Sequence, residues 1–261
     1  DFYHSVPSGF KMLKQDNLSA TDQNINGGPT PPIPDLCWIK NRQDGTADSH
    51  QWYDSTRGPL KDISSDSTGV ESTTDDGLQK FVAGGFEIED DVSINTADEN
   101  YISWNWVANG GTTSANTDGS GATQASTIQV NDTAGFSIVQ GRYFEGSLAH
   151  GLSKAPEFII YKETDPNTNN WYVWHHNLTS ENYYLFLNST NGQADYGSNL
   201  WNITSTKFGK NLSLGGTRNA IAYCWYGVPG FSRFGIYNGN GNADGPFVYT
   251  GFKPAMVMQK S

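Results

Sequence analysis

Cysteine, basic residues and long hydrophobic runs are all scarce in this sequence. Only Cys37 and Cys224 are present, too few for a disulfide framework, so we expect buried free thiols of the kind found in proteins made in a reducing cytoplasm. Lysine and arginine number 16 against 27 aspartates and glutamates, and the net charge of −11 disfavours contact with a phosphate backbone. No apolar run approaches the ~20 residues that a membrane-spanning helix needs. The sequence therefore argues against nucleic-acid binding and against membrane insertion.

The residue spacings that mark common catalytic and metal sites are also absent. There is no Gly-x-Ser-x-Gly nucleophile elbow, no His-Glu-x-x-His zinc motif and no phosphate-binding loop. Neighbouring side chains on a strand point to opposite faces, so adjacent His175 and His176 do not predict a shared metal ion. The acidic run at residues 87–91 lacks the spacing of a calcium loop. We expect no catalytic residue, no metal and no cofactor, with a polysaccharide hydrolase as the remaining enzymatic alternative.

Aromatic residues and turn-forming residues are abundant instead. Aromatics make up 13% of the chain and glycine numbers 29, whereas only 16% of the residues are charged. Aromatic and β-branched side chains suit half-buried pleated surfaces, and Gly and Asn suit turns. Short apolar runs recur between Gly, Asn, Asp and Pro, without helical periodicity over ten residues or more. The pattern predicts an all-β fold of tandem antiparallel β-sandwich modules, jelly-roll or concanavalin-like.

A heptapeptide pattern occurs three times, with Pro first, mainly apolar residues next and Lys last. The copies lie at residues 34–40, 156–162 and 254–260, so the first two are offset by 122 residues (156 − 34). A second repeated stretch opens with Gly-Phe-Ser at Gly135 and again at Gly230, an offset of 95 (230 − 135). Repetition of this kind indicates a module, whose shared residues are most simply explained as scaffold.

The first two copies stay aligned well beyond the heptapeptide. The offset of 122 carries Trp52 onto Trp174, and near the end of the module it becomes 119, aligning residues 100–106 with residues 219–225. In both of these segments apolar and aromatic residues alternate with other residues, so one face of each strand is mostly aromatic. The matching faces predict packing inside each module.

These offsets divide the chain into four parts. The parts are residues 1–33, the end of a preceding domain plus a Pro-rich connector; residues 34–134, a first β-sandwich module with a Gly/Ser/Thr-rich linker at 109–127; residues 135–229, a second module; and residues 230–261, the start of a third. Because the third copy is partial, we expect the chain to be a segment of a longer polypeptide.

Three stretches carry a family resemblance. Residues 150–156, 230–235 and 244–255 resemble repeat domains of virion and tail-fibre proteins from tailed phages of the marine and cyanobacterial type. In that family the repeats follow a SPRY-like β-sandwich, whose final strand residues 1–10 resemble. The resemblance implies a virion component, assembled in the host cytoplasm and exposed on the extracellular particle. It also implies other virion proteins as partners and a homo-oligomer, with a trimer favoured, and it supplies no catalytic or binding residue.

The sequence thus predicts a tail-fibre or fibre-like segment that spaces and presents loops for host attachment. The alternatives are a glycan-binding, lectin-like module of a larger surface protein and a capsid decoration protein. Aromatic residues beside Asn-rich loops are the candidate surface contacts, where a ring face and nearby amides suit a host-surface glycan. A purely structural interpretation, in which strand-end aromatics cover the edge of the sandwich, remains open. The candidates are Asn169, Asn170, Trp171, Tyr237, Asn238 and Asn240.

Overall fold

The computed structural model describes residues 31–43, 48–108, 114–115, 121–142, 146–165, 168–198, 200–209 and 218–260. Strands make up 37% of the residues and helix 2%. Every strand pair in the described ranges is antiparallel. The prediction of an all-β, antiparallel fold is therefore confirmed. Most of the expected connector at residues 1–33 lies outside the described residues.

The chain divides into two compact units between Thr113 and Ser114. The described strands of the first unit are β1 (Leu36–Asn41), β2 (Gln51–Asp54), β3 (Lys61–Ser64), β4 (Ser72–Thr73), β5 (Leu78–Val82), β6 (Gly85–Ile88) and β7 (Tyr101–Trp106), with one short helix, α1 (Val92–Asn95). Those of the second unit are β8 (Ser114–Ala115), β9 (Thr127–Asn131), β10 (Phe136–Arg142), β11 (Leu148–Ala149), β12 (Phe158–Asp165), β13 (Tyr172–His175), β14 (Tyr183–Phe186), β15 (Ala194–Asp195), β16 (Lys207–Phe208) and β17 (Asn219–Trp225).

In the first unit, five strands form one sheet in the order β4-β3-β2-β1-β7. The hairpin β5-β6 and helix α1 cover one face of this sheet, where Leu78 and Ile94 pack with Cys37, Ile39 and Tyr53 in a buried cluster. Cys37 and Ile39 lie inside together because alternate residues of a strand share a face. Burial of these apolar side chains away from water stabilises the packing of the hairpin and the helix on the sheet.

The opposite face of the first sheet carries three tryptophans. Trp38 of β1 lies directly between Trp52 of β2 and Trp104 of β7 in the strand register. The ring centroids are 5.1 Å and 4.8 Å apart, and Trp38 Nε1 donates a hydrogen bond of 2.9 Å to Nδ1 of His50. Aromatic side chains opposite one another on neighbouring strands pack closely. The three rings therefore join β2, β1 and β7.

In the second unit, eight strands form a sheet in the order β15-β14-β13-β12-β17-β10-β9-β8. The two-stranded sheet β11-β16 supplies Leu148 and Phe208 to the buried cluster on one face, where they pack with Ile159, Tyr161 and Trp201. The Tyr161 ring meets both Trp201 and Phe208 edge-on, with centroids 6.3 Å apart. Each unit is thus a large sheet with a smaller layer on one face, an asymmetric sandwich.

The two units share a three-strand arrangement. The order β2-β1-β7 in the first sheet matches β13-β12-β17 in the second. On the face away from the small layer, Trp225 of β17 lies between Phe136 of β10 and Phe158 of β12, with centroids 5.1 Å and 5.4 Å apart. The repeated sequence therefore forms the same strand order in both units.

The alignment of Trp52 with Trp174 is wrong by one residue. In the first unit Cys37 faces Tyr53, and in the second unit Ile159, the counterpart of Cys37, faces Trp174. Trp174 therefore occupies the position of Tyr53 in the buried cluster, whereas Trp52 belongs to the opposite face with Trp38. A shift of one residue along a strand moves every side chain to the other face.

The division into units also differs from the sequence-based boundary at residues 134 and 135. Residues 127–131 fall within the expected first module, but they form strand β9, which pairs with β10 in the second sheet. The expected start of a third module, residues 230–261, carries no strand in its described part, residues 230–260; Ser232 makes a single bridge to Val228.

Both cysteines are buried and free, Cys37 in β1 and Cys224 in β17. Burial raises the pKa of each thiol, and for Cys37 the carboxylates of Asp35 and Asp54 raise it further. A thiol with a raised pKa stays protonated and unreactive at neutral pH. Both residues therefore serve as small apolar core residues.

The contact between Gly141 and Leu148 offers a test of how the small layer packs. A Cβ added at Gly141 would lie 2.5 Å from Cδ2 of Leu148. We expect Gly141→Ala to lower the free energy of unfolding by about 1–3 kcal/mol through overpacking. Leu148→Ala should lower it by about 2–5 kcal/mol through cavity formation.

Urea unfolding of the two single variants and the double variant measures the coupling between them. The double variant should lose less stability than the two single losses added together, because the shortened side chain makes room for the new methyl group. Gly192→Ala, where an added Cβ meets nothing within 4 Å, is the control. Strict additivity would contradict the packing described here.

Candidate functional site

The loop before β13 contains the first three predicted contact residues. The ammonium group of Lys162 donates a 2.8 Å hydrogen bond to the carbonyl of Asn169, and the side-chain amide of Asn169 donates to the carboxylate of Glu163. Both Lys162 and Glu163 are fully buried. Burial lowers the pKa of Lys162 to about 8, an effect that the charge of Glu163 opposes. Asn169 is therefore part of a buried polar network that fixes the loop.

Trp171 does not present its ring to solvent, contrary to the sequence-based expectation. The residue is 0% exposed. Its backbone N–H donates to Oδ1 of Asn188 at 2.9 Å, and Nδ2 of Asn188 donates to Oδ1 of Asn170 at 2.9 Å. These bonds draw the end of the loop onto the sheet and turn the ring into the protein. The candidates Asn170 and Trp171 thus have structural roles, and we correct the prediction of a sugar-binding ring at this position.

A similar set of hydrogen bonds holds the corresponding loop of the first unit. The ammonium group of Lys40 donates to the carbonyl of Asp48 at 2.7 Å, and Nδ2 of Asn41 donates to Oδ2 of Asp48 at 2.6 Å. Lys40 and Lys162 both end the repeated heptapeptide. The terminal Lys of the pattern therefore anchors the loop that follows its strand in each unit.

The second group of candidates lies on an exposed segment after β17. Tyr237 is 51% exposed, and its hydroxyl donates to Oε1 of Gln259 at 3.2 Å. Asn240 organises a turn, because its Nδ2 donates to the carbonyl of Asp244 at 2.9 Å and its Oδ1 accepts from the N–H of Asn242 at 3.0 Å. Asn238 is exposed beside them. This loop is accessible, as the sequence-based interpretation requires.

Tyr237 belongs to a larger group of exposed hydrophobic residues, which we call the C-terminal apolar surface. Large apolar side chains between residues 236 and 258 are 42–89% exposed, with Phe247 the most exposed. Isolated exposed apolar residues are ordinary, whereas exposed apolar groups are candidates for contact with a partner. The members of the surface are Ile236, Tyr237, Phe247, Val248, Tyr249, Val257 and Met258.

Sequence reasoning identified only Tyr237 in this surface, although the repeat contained the signal for more. Val257 and Met258 correspond to Ile159 and Ile160 of β12, which are fully buried in the second unit. In the third copy Val257 is 70% exposed. Ile159 and Ile160 are apolar because they form the core of the second unit. Val257 and Met258 keep this apolar character, but they are exposed because they lie in no strand of the described residues.

His150, in one of the stretches that carry the family resemblance, links two loops of the second unit. Its ring is fully buried; Nδ1 accepts a 3.1 Å hydrogen bond from the N–H of Leu152, and Nε2 lies 3.2 Å from the carbonyl of Thr204. Burial lowers the pKa of His150, although the bond to Thr204 opposes that effect. The ring is thus neutral, with its proton on Nε2. Gly151 follows with φ of +73°, a conformation that favours glycine.

The adjacent histidines at the end of β13 lie close together. The rings of His175 and His176 have centroids 4.9 Å apart, and Nδ1 of His175 accepts from the N–H of Asn177 at 3.1 Å. Burial, and secondarily the charge of His176, lowers the pKa of His175 to about 4. Across the described residues, no group of three or more His, Cys, Asp or Glu side chains is placed to hold a metal ion.

Comparison with known proteins identifies the family of the chain. A family model described as a domain of unknown function (DUF7483) matches residues 11–261, so the chain belongs to that family. Neither a curated protein nor a solved structure matches the chain. No helix in the described part of the chain is long and apolar enough to cross a membrane.

The bonds of His150 lead to a prediction about pH. We expect His150→Phe to destabilise the second unit by about 1–3 kcal/mol at pH 7.5, because the buried N–H of Leu152 loses its acceptor. The folded-state pKa of His150 lies below the unfolded value of about 6.5. The contribution of neutral His150 to the free energy of unfolding is therefore present above pH ~6.5 and is lost as the pH falls toward the folded-state pKa.

Urea unfolding of wild type and variant at pH 7.5, 6.0 and 5.0 checks this expectation. The difference in stability between the two proteins should narrow as the pH falls, because only the wild type has this proton uptake on unfolding. The lowered pKa of His175 affects both proteins alike. A difference that stays constant from pH 7.5 to 5.0 would contradict a neutral, buried His150.

Proposed function

We propose that the chain is a structural segment of a phage virion, a tail-fibre or fibre-like appendage that spaces and presents loops for attachment to the host surface. The C-terminal apolar surface is the observation that carries this proposal. It contains exposed aromatic rings such as Phe247 and Tyr249, in a chain that folds as two all-β units. In this proposal the packed units determine how far the appendage extends, and the exposed rings contact the host surface. The resemblance of residues 244–255 to phage tail-fibre repeats supports the same function.

In this proposal the protein is assembled in the host cytoplasm and is exposed on the extracellular particle. Its partners are other virion proteins and further copies of itself, with a trimer expected. A host-surface glycan is the expected ligand. Each contact through a few exposed rings is weak, but several copies on one appendage gain avidity when they engage together.

A glycan-binding module of a larger surface protein is the second candidate. The arrangement around Tyr237 favours it, because a tyrosine offers an apolar ring and a hydroxyl, and the amides of Asn238 and Asn240 offer donors and acceptors. Tyr249 adds a second exposed ring, over which the guanidinium of Arg233 lies at 5.7 Å. Rings and amides on one segment match the chemistry of a sugar.

Loss of the exposed rings tests the role of this surface in attachment. Tyr237→Ala and Tyr249→Ala are each expected to weaken binding of the purified chain to host cells roughly tenfold, or ~1.4 kcal/mol, because each removes exposed contact area. Flow cytometry with labelled protein over a concentration series measures the affinity. Tyr196→Ala removes an exposed tyrosine outside the surface and should bind like wild type. Equal binding by all three variants would argue against attachment through this surface.

A glycan array with the same proteins distinguishes the two candidate functions. Selective glycan binding that is lost in both tyrosine variants supports a glycan-binding module. Retained cell binding without glycan binding supports an appendage that contacts another class of receptor.

The position of the chain on the particle tests the virion proposal itself. Gold-labelled antibodies against the purified chain are expected to label the tail appendages of intact phage particles in electron micrographs. Label confined to the capsid shell would indicate a capsid decoration protein instead. Particles that carry no label, with the chain also missing from their denatured protein, would exclude a virion component.

A further inference from the structure

Three reactive groups meet inside the second unit where β12 approaches the loop before β13. The ammonium group of Lys162 lies 2.8 Å from the backbone carbonyl oxygen of Asn169, and the side-chain amide of Asn169 donates a hydrogen bond to the carboxylate of Glu163. Lys162 and Glu163 are both 0% exposed, and Asn169 is half-buried. An amine, an amide and a carboxyl group are thus held at one place, with the amine and the carboxyl group shielded from water.

We propose that Nζ of Lys162 and Cγ of Asn169 become joined by an amide bond, an isopeptide cross-link between β12 and the loop before β13. The amine is the nucleophile, the side-chain carbonyl carbon of Asn169 is the electrophile, and Glu163 carries protons between them. The reaction needs no oxidant, cofactor or second substrate. The inference concerns the second unit alone and does not depend on attachment to a host.

The atoms and charges of the reaction balance with ammonium as the only other product. Lys162 first gives one proton to the carboxylate of Glu163 and becomes a neutral amine. Its nitrogen attacks Cγ of Asn169, and the bond from Cγ to Nδ2 breaks as Glu163 passes its proton to Nδ2. Glu163 then takes one proton from the attacking nitrogen and returns to a carboxylate when the departing ammonia leaves as ammonium.

The surroundings of the three groups favour this reaction. Burial lowers the pKa of Lys162 to about 8, so a substantial fraction of the amine is neutral and nucleophilic near neutral pH. The carboxylate of Glu163 is bonded to the nitrogen that leaves, which is where a proton carrier is required. The guanidinium of Arg218 lies 3.8 Å from the other oxygen of Glu163, so this buried carboxylate keeps a positive neighbour after Lys162 loses its charge.

The loop holds the two reacting residues within reach of each other. The ammonium group of Lys162 contacts the backbone carbonyl of Asn169, and the side-chain carbonyl carbon belongs to the same residue. A rotamer change in the long Lys side chain carries Nζ from one carbonyl to the other without movement of the backbone. Asn188 bonds to both Trp171 and Asn170 and so fixes the loop. Reactants held side by side in this way react much faster than free ones.

The first unit has the same arrangement with the amide and the acid exchanged. Lys40 donates to the backbone carbonyl of Asp48 at 2.7 Å, and the residue that follows Lys40 is Asn41, whose side-chain amide donates to the carboxylate of Asp48 at 2.6 Å. Lys40 is also only half-buried. A carboxylate resists attack by an amine because it is already negatively charged. We therefore expect the cross-link in the second unit and none at Lys40, which makes the first unit an internal control.

The intact mass of the purified chain tests the proposal directly. Because the reaction releases ammonia, wild type is expected to weigh about 17 Da less than its sequence mass. Lys162→Arg and Glu163→Gln should both show the full mass of their sequences, since a guanidinium keeps the charge but stays protonated, and an amide does not carry protons between the groups. Wild type that keeps its full mass after incubation at pH 8.5, where the amine is mostly neutral, would overturn the proposal.

Tryptic digestion of the denatured chain locates the bond. Trypsin does not cleave after an acylated lysine, so wild type should give residues 155–207 as one peptide, with cleavage after Lys40 unaffected. Asn169→Ala, which keeps the sequence around the cleavage site, should give residues 155–162 and 163–207 separately. Asparagine followed by glycine, as at Asn191, also loses ammonia when it cyclises. Complete cleavage after Lys162 in wild type, with the loss of mass located at such a site, would therefore overturn the proposal.

Discussion

The structure of both units depends on one strand that is paired on both edges and covered on both faces. β1 lies between β2 and β7, and β12 lies between β13 and β17. Consecutive residues of such a strand are all buried, and so its sequence is a continuous apolar run without alternation. This is the physical reason for the repeated heptapeptide. Its last residue, Lys40 or Lys162, ends the run by reaching a loop carbonyl with its ammonium group.

The all-β class and the repeat were predictable because both follow from local composition and from comparison of the chain with itself. The sequence did not predict which face of the sheet each residue of a strand occupies. The chain from Cys37 to its partner Tyr53 is one residue longer than the chain from Ile159 to its partner Trp174, so Trp174 takes the place of Tyr53 and not of Trp52. The sequence left open whether Trp171 covers the edge of the sandwich or faces solvent, because the answer depends on a distant contact: Asn188, seventeen residues away, accepts a hydrogen bond from the N–H of Trp171. Long-range contacts decide both outcomes.

The third copy shows that an apolar, strand-like sequence does not by itself form a strand. Residues 254–260 repeat the heptapeptide, yet Val257 is 70% exposed, whereas its counterpart Ile159 is fully buried. A strand forms its hydrogen bonds with another segment, so its stability depends on a neighbour as much as on its own sequence. β12 has β13 and β17 as neighbours, and no strand of the described residues lies beside residues 254–260.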